Sequence, residues 1–228
     1  MYLAIFDIDG TLVNSVAIDD ECFIQTFKDL YQIDLLGVDW NDFEHVTDSG
    51  LTNEIFLNHL SRLPTAFEID RIQEYFFGLL SSRSDEFEEI PGASKFLERL
   101  EAQPNIAIAF ATGGWKKTAL LKLRCLNFQI EDCLILSADD HFNRAEITKL
   151  AIEAVTKKYR INKLEAVTYI GDGLWDLKAA QELNINFIGI DCKNSGKLNA
   201  QGGKNVIKDY LTANETMVTK KARYEIWP

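Results

Sequence analysis

Apolar and polar positions divide the first fifteen residues into two unlike halves. Tyr2-Leu3-Ala4-Ile5-Phe6 is a continuous apolar run of strand length, and Asp7-Ile8-Asp9-Gly10-Thr11 ends it with two acids and a turn. A run without polar alternation predicts a parallel strand buried on both faces. Similar runs recur at Asn105–Ala111, Cys133–Leu136, Ala166–Ile170 and Asn186–Ile190. Helical periodicity fills the intervals: from Ala93 to Ala102, from Trp115 to Leu126, and up to Tyr159, where Asn143-Arg144-Ala145-Glu146 has the spacing of a capping box. Strands alternating with helices at this spacing predict an α/β fold, a doubly wound (Rossmann-like) parallel sheet.

The stretch from 16 to 84 breaks that alternation. Cys22, Phe23, Phe27 and Leu30 form one apolar stripe, Ile55, Phe56, Leu60 and Leu63 a second, and Ile69, Ile72, Tyr75, Phe76 and Leu79 a third. It is far too long for one βαβ crossover. The pattern therefore predicts a small α-helical cap domain at 16–84 inserted into an α/β core made of 1–15 and 85–228. Within the insert, Thr47-Asp48-Ser49-Gly50-Leu51-Thr52-Asn53 reads as a polar loop, and Ile90-Pro91-Gly92 marks the turn back into the core. Beyond Asp191 apolar residues thin out. Local order is expected around Val206 to Leu211, and the last dozen residues are expected to be loosely held.

Composition narrows the function classes. The 228 residues carry a net charge of −11 at pH 7, which argues against nonspecific binding to nucleic acid or anionic membrane. An anionic substrate would need local cations or a metal. The four cysteines, Cys22, Cys125, Cys133 and Cys192, show no Cys-x-x-Cys spacing, so neither a zinc site nor a disulfide framework is expected. No signal-peptide pattern opens the chain and no apolar run reaches membrane-spanning length. The expectation is a reduced, cytoplasmic protein, monomeric or weakly homodimeric.

Four polar signals fall just past predicted strands or at the next helix start: Asp7/Asp9, Thr112/Gly113, Arg144 and Asp172/Asp176. In a doubly wound sheet such loops open on one edge, where ligands bind. The set reads as phosphoryl-transfer machinery. A carboxylate at Asp7 could take up the phosphoryl group as nucleophile, and Asp9 could serve as general acid and base. Thr112 offers a hydroxyl and Gly113 an amide at a helix start. Arg144 could neutralise phosphoryl oxygens, and the remaining acids suit a hard divalent cation.

Asp-x-Asp-Gly-Thr-Leu-Val-x-Ser at Asp7–Ser15, Thr112-Gly113 after the second core strand, and Gly171-Asp172-x-x-x-Asp176 after the fourth resemble the haloacid dehalogenase superfamily. The closest likeness is to its helical-cap, phosphoglycolate-phosphatase-like branch, over residues 1 to 191. The resemblance implies a Mg²⁺-dependent phosphatase on a small phosphorylated metabolite. Asp7 would be nucleophile and metal ligand, and Asp9 the acid/base whose carbonyl also meets the metal. Asp172 would bind the ion directly and Asp176 through water, while Gly10, Thr112 and Gly113 would bind phosphate. The family's third motif is usually a Lys. Here Arg144 fills that place, with Lys149 one and a half turns later as the alternative, and helix-start geometry favours Arg144. Two rival readings stand beside this one: a phosphomutase, whose flap histidine would fall where Asp19 stands, and a non-catalytic binding protein that keeps the fold.

Overall fold

The computed structural model describes residues 1–130 and 132–220. In chain order the elements are β1 (Tyr2–Phe6), β2 (Val13–Asn14), α1 (Val16–Tyr31), α2 (Asp48–Leu60), α3 (Ala66–Ser82), β3 (Glu88–Glu89), α4 (Ala93–Glu101), β4 (Ile106–Ala111), α5 (Lys116–Leu123), β5 (Leu134–Leu136), α6 (Arg144–Tyr159), β6 (Ala166–Gly171), α7 (Leu174–Glu182), β7 (Asn186–Ile190), α8 (Lys197–Ala200) and β8 (Val206–Ile207). The main sheet is six-stranded and parallel, in the order β5-β4-β1-β6-β7-β8. This is the expected Rossmann-like α/β fold.

Sequence patterning explains why β1 sits at the centre. Ala4 and Phe6 enter the apolar cluster on one face, while Leu3 and Ile5 enter the cluster on the other. Every residue from Leu3 to Phe6 is fully buried. Each face of the strand is thus matched to its own layer: α4, α5 and the insert on one side, α6 and α7 on the other. The chain leaves β1 toward β4 and later returns on the opposite flank as β6. The strand order reverses at β1, so its carboxyl end opens onto the crevice of the sheet.

Residues 16–84 hold the helices α1, α2 and α3, which pack as an aromatic cluster, while Leu60 and Leu63 of the second expected stripe are exposed and Leu63 lies beyond the end of α2. Phe23 lies 5.0 Å from Phe27 and 5.5 Å from Phe76, ring centre to ring centre. Trp115, at the N-cap of α5 in the core, lies 6.3 Å from Phe23 and 6.0 Å from Phe76. One apolar cluster therefore runs without a break from the insert into the core. Such burial is worth roughly 25 cal/mol per Å² of apolar surface, and here it seats the insert over the sheet edge.

Several local expectations are corrected. Thr47 to Asn53 is not a loop: Thr47 is the N-cap of α2, its Oγ1 accepting the amide of Gly50 at 3.0 Å, and the helix begins at Asp48. Polar and small residues here serve the first turn of a helix rather than a turn between helices. At α6, Asn143 Oδ1 accepts the amides of Ala145 and Glu146, but the Glu146 carboxylate turns to Lys149, so only half of a capping box forms. A two-stranded antiparallel ribbon, β2 with β3, joins core and insert. Two residues per strand are too few to leave a period in the sequence.

Val206–Ile207 extends the sheet, and Tyr210 is buried against Phe6 and Phe96. The expectation of a loose terminus fails for 217–220, where Val218 is fully buried and its carbonyl accepts from Thr168 Oγ1. The remainder of that terminal dozen, 221–228, lies outside the described residues. Among the described residues no helix is long and apolar enough to cross a membrane.

Candidate active site

Asp7 follows β1 directly, its amide bonded to the carbonyl of Ile170 on β6, so its side chain stands over the centre of the sheet edge. The chain then turns so tightly that the amides of Thr11, Leu12 and Val13 all point at the carbonyl of Ile8. Gly10 makes this turn possible. Its φ is +72°, and a Cβ there would stand 2.0 Å from Asp172 Oδ2. The first-motif loop and the β6–α7 loop can approach only because that position carries no side chain.

Carboxylate oxygens of Asp7, Asp172 and Asp176 lie within 4.8 Å of one another. Burial, then repulsion by Asp176, pushes the Asp7 carboxyl up to about 8 against the pull of Arg144. Burial and the neighbouring acids likewise hold Asp172 well above the usual range. Three acids so close, with their negative charge penalised, fit a hard divalent cation. Asp176 is fully buried: its Oδ1 accepts from Tyr169 Oη at 2.9 Å and its Oδ2 from the Gly173 amide at 3.0 Å. The Asp9 side chain stands outside this trio. Its Oδ1 accepts from Ser15 Oγ at 2.5 Å and pairs with Lys122 Nζ at 2.7 Å.

Arg144, first residue of α6, reaches the same point from the opposite flank. Its Nη1 donates to Asp7 Oδ1 at 2.9 Å, its Nη2 donates to the Val46 carbonyl at 3.2 Å, and its Nε lies 3.5 Å from Asp176 Oδ1. The guanidinium passes so close to Gly113 that a Cβ there would meet Nη2 at 2.2 Å. Lys149, five residues on, lies on the solvent side of α6, half exposed and 3.4 Å from Glu146. Of the two cations considered for this role, only Arg144 is brought to Asp7. Thr112 is buried after β4, and its Oγ1 accepts the Gly114 amide at 3.1 Å, which leaves the hydroxyl hydrogen to donate.

The insert roofs this edge. Asp48 Oδ2 accepts the Trp115 amide at 2.8 Å, the Asp48 amide donates to the Gly113 carbonyl at 2.8 Å, and Ser49 Oγ donates to the Ala138 carbonyl at 2.8 Å. Beneath lies a cavity of about 90 Å³ into which Asp7, Asp9, Thr112, Gly113, Arg144 and Asp172 all open. Its lining also includes Asp19, Asp20, Asp48, Phe23, Trp40 and Trp175. Trp175 therefore lines the pocket, whereas Trp115 is a packing residue whose Nε1 donates to Ser49 Oγ at 2.9 Å. His45 packs on Phe142 at 4.9 Å and is not among the lining residues.

Sequence reasoning gave no site role to Lys122 or Tyr169, and none of their own to Ser15 and Asp48, which it quoted only within a motif and a polar stretch. Lys122 did leave a signal: it stands seven residues, two turns, after Trp115, on the buried side of α5 with Thr118 and Ala119.

An acidic trio with an arginine thus stands at the carboxyl edge of a Rossmann-like sheet, under a helical roof. The sequence model described as haloacid dehalogenase-like hydrolase matches residues 4–190, and the chain belongs to that family. Among curated proteins no match is found. Among solved structures, a hydrolase from Pseudomonas syringae is 24% identical, with a TM-score of 0.72 over 92% of this chain and 94% of that one. CbbY from Rhodobacter sphaeroides, solved with phosphate, is 16% identical, with a TM-score of 0.74 over 96% of this chain and 99% of its own. A family IA hydrolase from Entamoeba histolytica is 15% identical, with a TM-score of 0.70 over 96% and 98%.

Proposed function

We propose that this hydrolase is a Mg²⁺-dependent phosphatase acting on small phosphorylated metabolites through an aspartyl-phosphate at Asp7. The observation that carries the reading is the convergence on Asp7 of Arg144 at 2.9 Å and of the Asp172 and Asp176 carboxylates. Asp7 and Asp172, with the Asp9 carbonyl, would hold the ion directly, and buried Asp176 would act behind them. Bound there, Mg²⁺ would neutralise the acids and the phosphoryl oxygens.

The residues divide the work in two steps. An Asp7 oxygen attacks phosphorus, the bond to the leaving oxygen breaks, and Asp9 supplies that oxygen's proton. Asp9 then takes a proton from water as the water oxygen attacks the same phosphorus and frees Asp7 and inorganic phosphate. Arg144 and the Thr112 hydroxyl hold the phosphoryl oxygens, where charge is concentrated. The roof excludes bulk water during the first transfer.

The pocket wall also bears on the substrate. Arg144 is the only Lys or Arg among its lining residues, which also include Asp19, Asp20 and Asp48 with Phe23, Trp40 and Trp175. CbbY from Rhodobacter sphaeroides has been solved with xylulose-(1,5)bisphosphate. A second phosphate or a carboxylate would here meet acids without a free cation, so a neutral, hydroxyl-bearing leaving group fits better. The test is phosphate release from polyol and sugar monophosphates, phosphoglycolate, a sugar bisphosphate and a folded phosphoprotein, with Mg²⁺ or EDTA. Monophosphates of neutral alcohols should be turned over best, and only with metal. Equal turnover in EDTA, or robust release from the phosphoprotein, would refute the reading. Isomerised sugar phosphate in place of free phosphate would mark a mutase.

A further inference from the structure

Asp9 is held by a lysine that does not itself line the cavity. Lys122, on α5, is fully buried, with its Nζ 2.7 Å from Asp9 Oδ1 and paired as well with Asp19 Oδ1. Asp9 belongs to the core loop after β1, whereas Asp19 belongs to α1, the first helix of the roof. One ammonium is therefore shared across the seam between the two. The same Asp9 oxygen accepts from Ser15 Oγ at 2.5 Å, at the N-cap of α1, where Ser15 makes no side-chain cap of its own. Oδ1 is fully committed, and Oδ2 is the oxygen turned to Gly114 at the pocket wall.

We infer that Lys122 is a positioning residue, aiming Asp9 Oδ2 at the leaving oxygen, and that it does so only while α1 is seated on the core. The inference rests on the phosphatase reading for its catalytic half. Its structural half stands on the seam alone. A shared, buried ammonium fixes a carboxylate firmly. A lone pair opened to water is worth little and leaves the side chain to swing. Lifting α1 removes Asp19, Ser15 and the burial together, so Asp9 loses its aim whenever the roof is open. Proton donation would be confined to the closed state, in which water is excluded.

The leaving group separates this role from a merely structural one. An alkyl alkoxide needs a proton as it departs, whereas p-nitrophenolate does not. For Lys122→Met, kcat/KM for glycerol phosphate should fall about 100-fold, the size of loss that a misaimed group produces, while kcat/KM for p-nitrophenyl phosphate changes by only about threefold. Lys122→Met/Asp19→Asn removes one charge with its partner and keeps the comparison available if the single variant folds poorly. Amides of α1 should exchange with deuterium faster in both variants than in the wild type. Equal losses on the two substrates, or wild-type rates on both, would overturn the positioning role. Unchanged exchange in α1 would overturn the coupling to the roof. Wild-type protein that releases no phosphate from either substrate would instead defeat the phosphatase reading, and the exchange result would still decide the seam.

Discussion

At the scale of single residues, two positions are occupied by glycine because charged groups fill the space a side chain would need. A methyl at Gly113 would stand 2.2 Å from Arg144 Nη2, and a methyl at Gly10 would stand 2.0 Å from Asp172 Oδ2. Gly113→Ala should displace the guanidinium from Asp7 and lower kcat/KM about 100-fold, the scale of an ångström-sized misplacement. Retention of wild-type kcat/KM in that variant would show that Arg144 need not lie where it does. Arg144→Met should lose at least as much, whereas Lys149→Met, on the solvent face of α6, should stay within a factor of about two, as surface substitutions do. Steady-state kinetics on one monophosphate decides both.

Asp7, Asp9, Asp172 and Asp176 were legible because they fall in two motifs that each follow an apolar strand, whereas Asp19, Asp20 and Asp48 of the pocket wall carry no such mark. Nor was Lys122 legible. A lysine in a helix reads as solvated, and only its two-turn spacing from Trp115 placed it on the buried side. The pairing that makes its burial tolerable comes from Asp9 and Asp19, more than one hundred positions away in sequence.

At the scale of elements, the roof is held by short, specific contacts around the start of α2. Thr47 carries the N-cap, and its hydroxyl also donates to the Phe142 carbonyl at 2.7 Å, tying the helix start to the loop before α6. Thr47→Ala should cost about 1 kcal/mol for the cap. The added loss of the Phe142 contact should appear as a raised KM, since it loosens the wall of the pocket. Chemical denaturation and steady-state kinetics read the two effects separately. A variant with normal stability and normal KM would contradict this account of α2. The same stretch shows the limit of reading elements from composition. Thr, Asp, Ser, Gly and Asn suit a loop and a helix start equally, and the contact partners that decide, Gly113, Trp115 and Ala138, lie in the core. Five strands of the main sheet, β1 and β4 to β7, carried enough apolar length to be read directly, but the two-residue strands β2, β3 and β8 did not.

At the scale of the whole molecule, the acids leave a mark on stability. Burial raises the carboxyl of Asp7 to about 8 and that of Asp48 to about 7. Both values lie above the ordinary carboxylate range. From roughly pH 4 upward the folded metal-free protein therefore holds protons that the unfolded chain has released, so stability falls as pH rises toward 8. The metal-free protein should melt at a lower temperature at pH 8 than at pH 5.5. Mg²⁺, which binds the folded site, should restore more stability at pH 8. Scanning calorimetry at the two pH values, with Mg²⁺ and with EDTA, tests this. A metal-free melting temperature that rises between pH 5.5 and 8 would contradict the assigned burial of these acids.

The central claim is that Asp7 itself carries the phosphoryl group. Acid quenching during turnover of a preferred monophosphate, followed by mass spectrometry of the peptide holding Asp7, tests that claim most directly. The account predicts a phosphoryl group on Asp7 in the presence of Mg²⁺, absent in EDTA and absent in Asp7→Asn, which should also release no phosphate. Undiminished phosphate release by Asp7→Asn, or a phosphoryl group found on another residue, would contradict it.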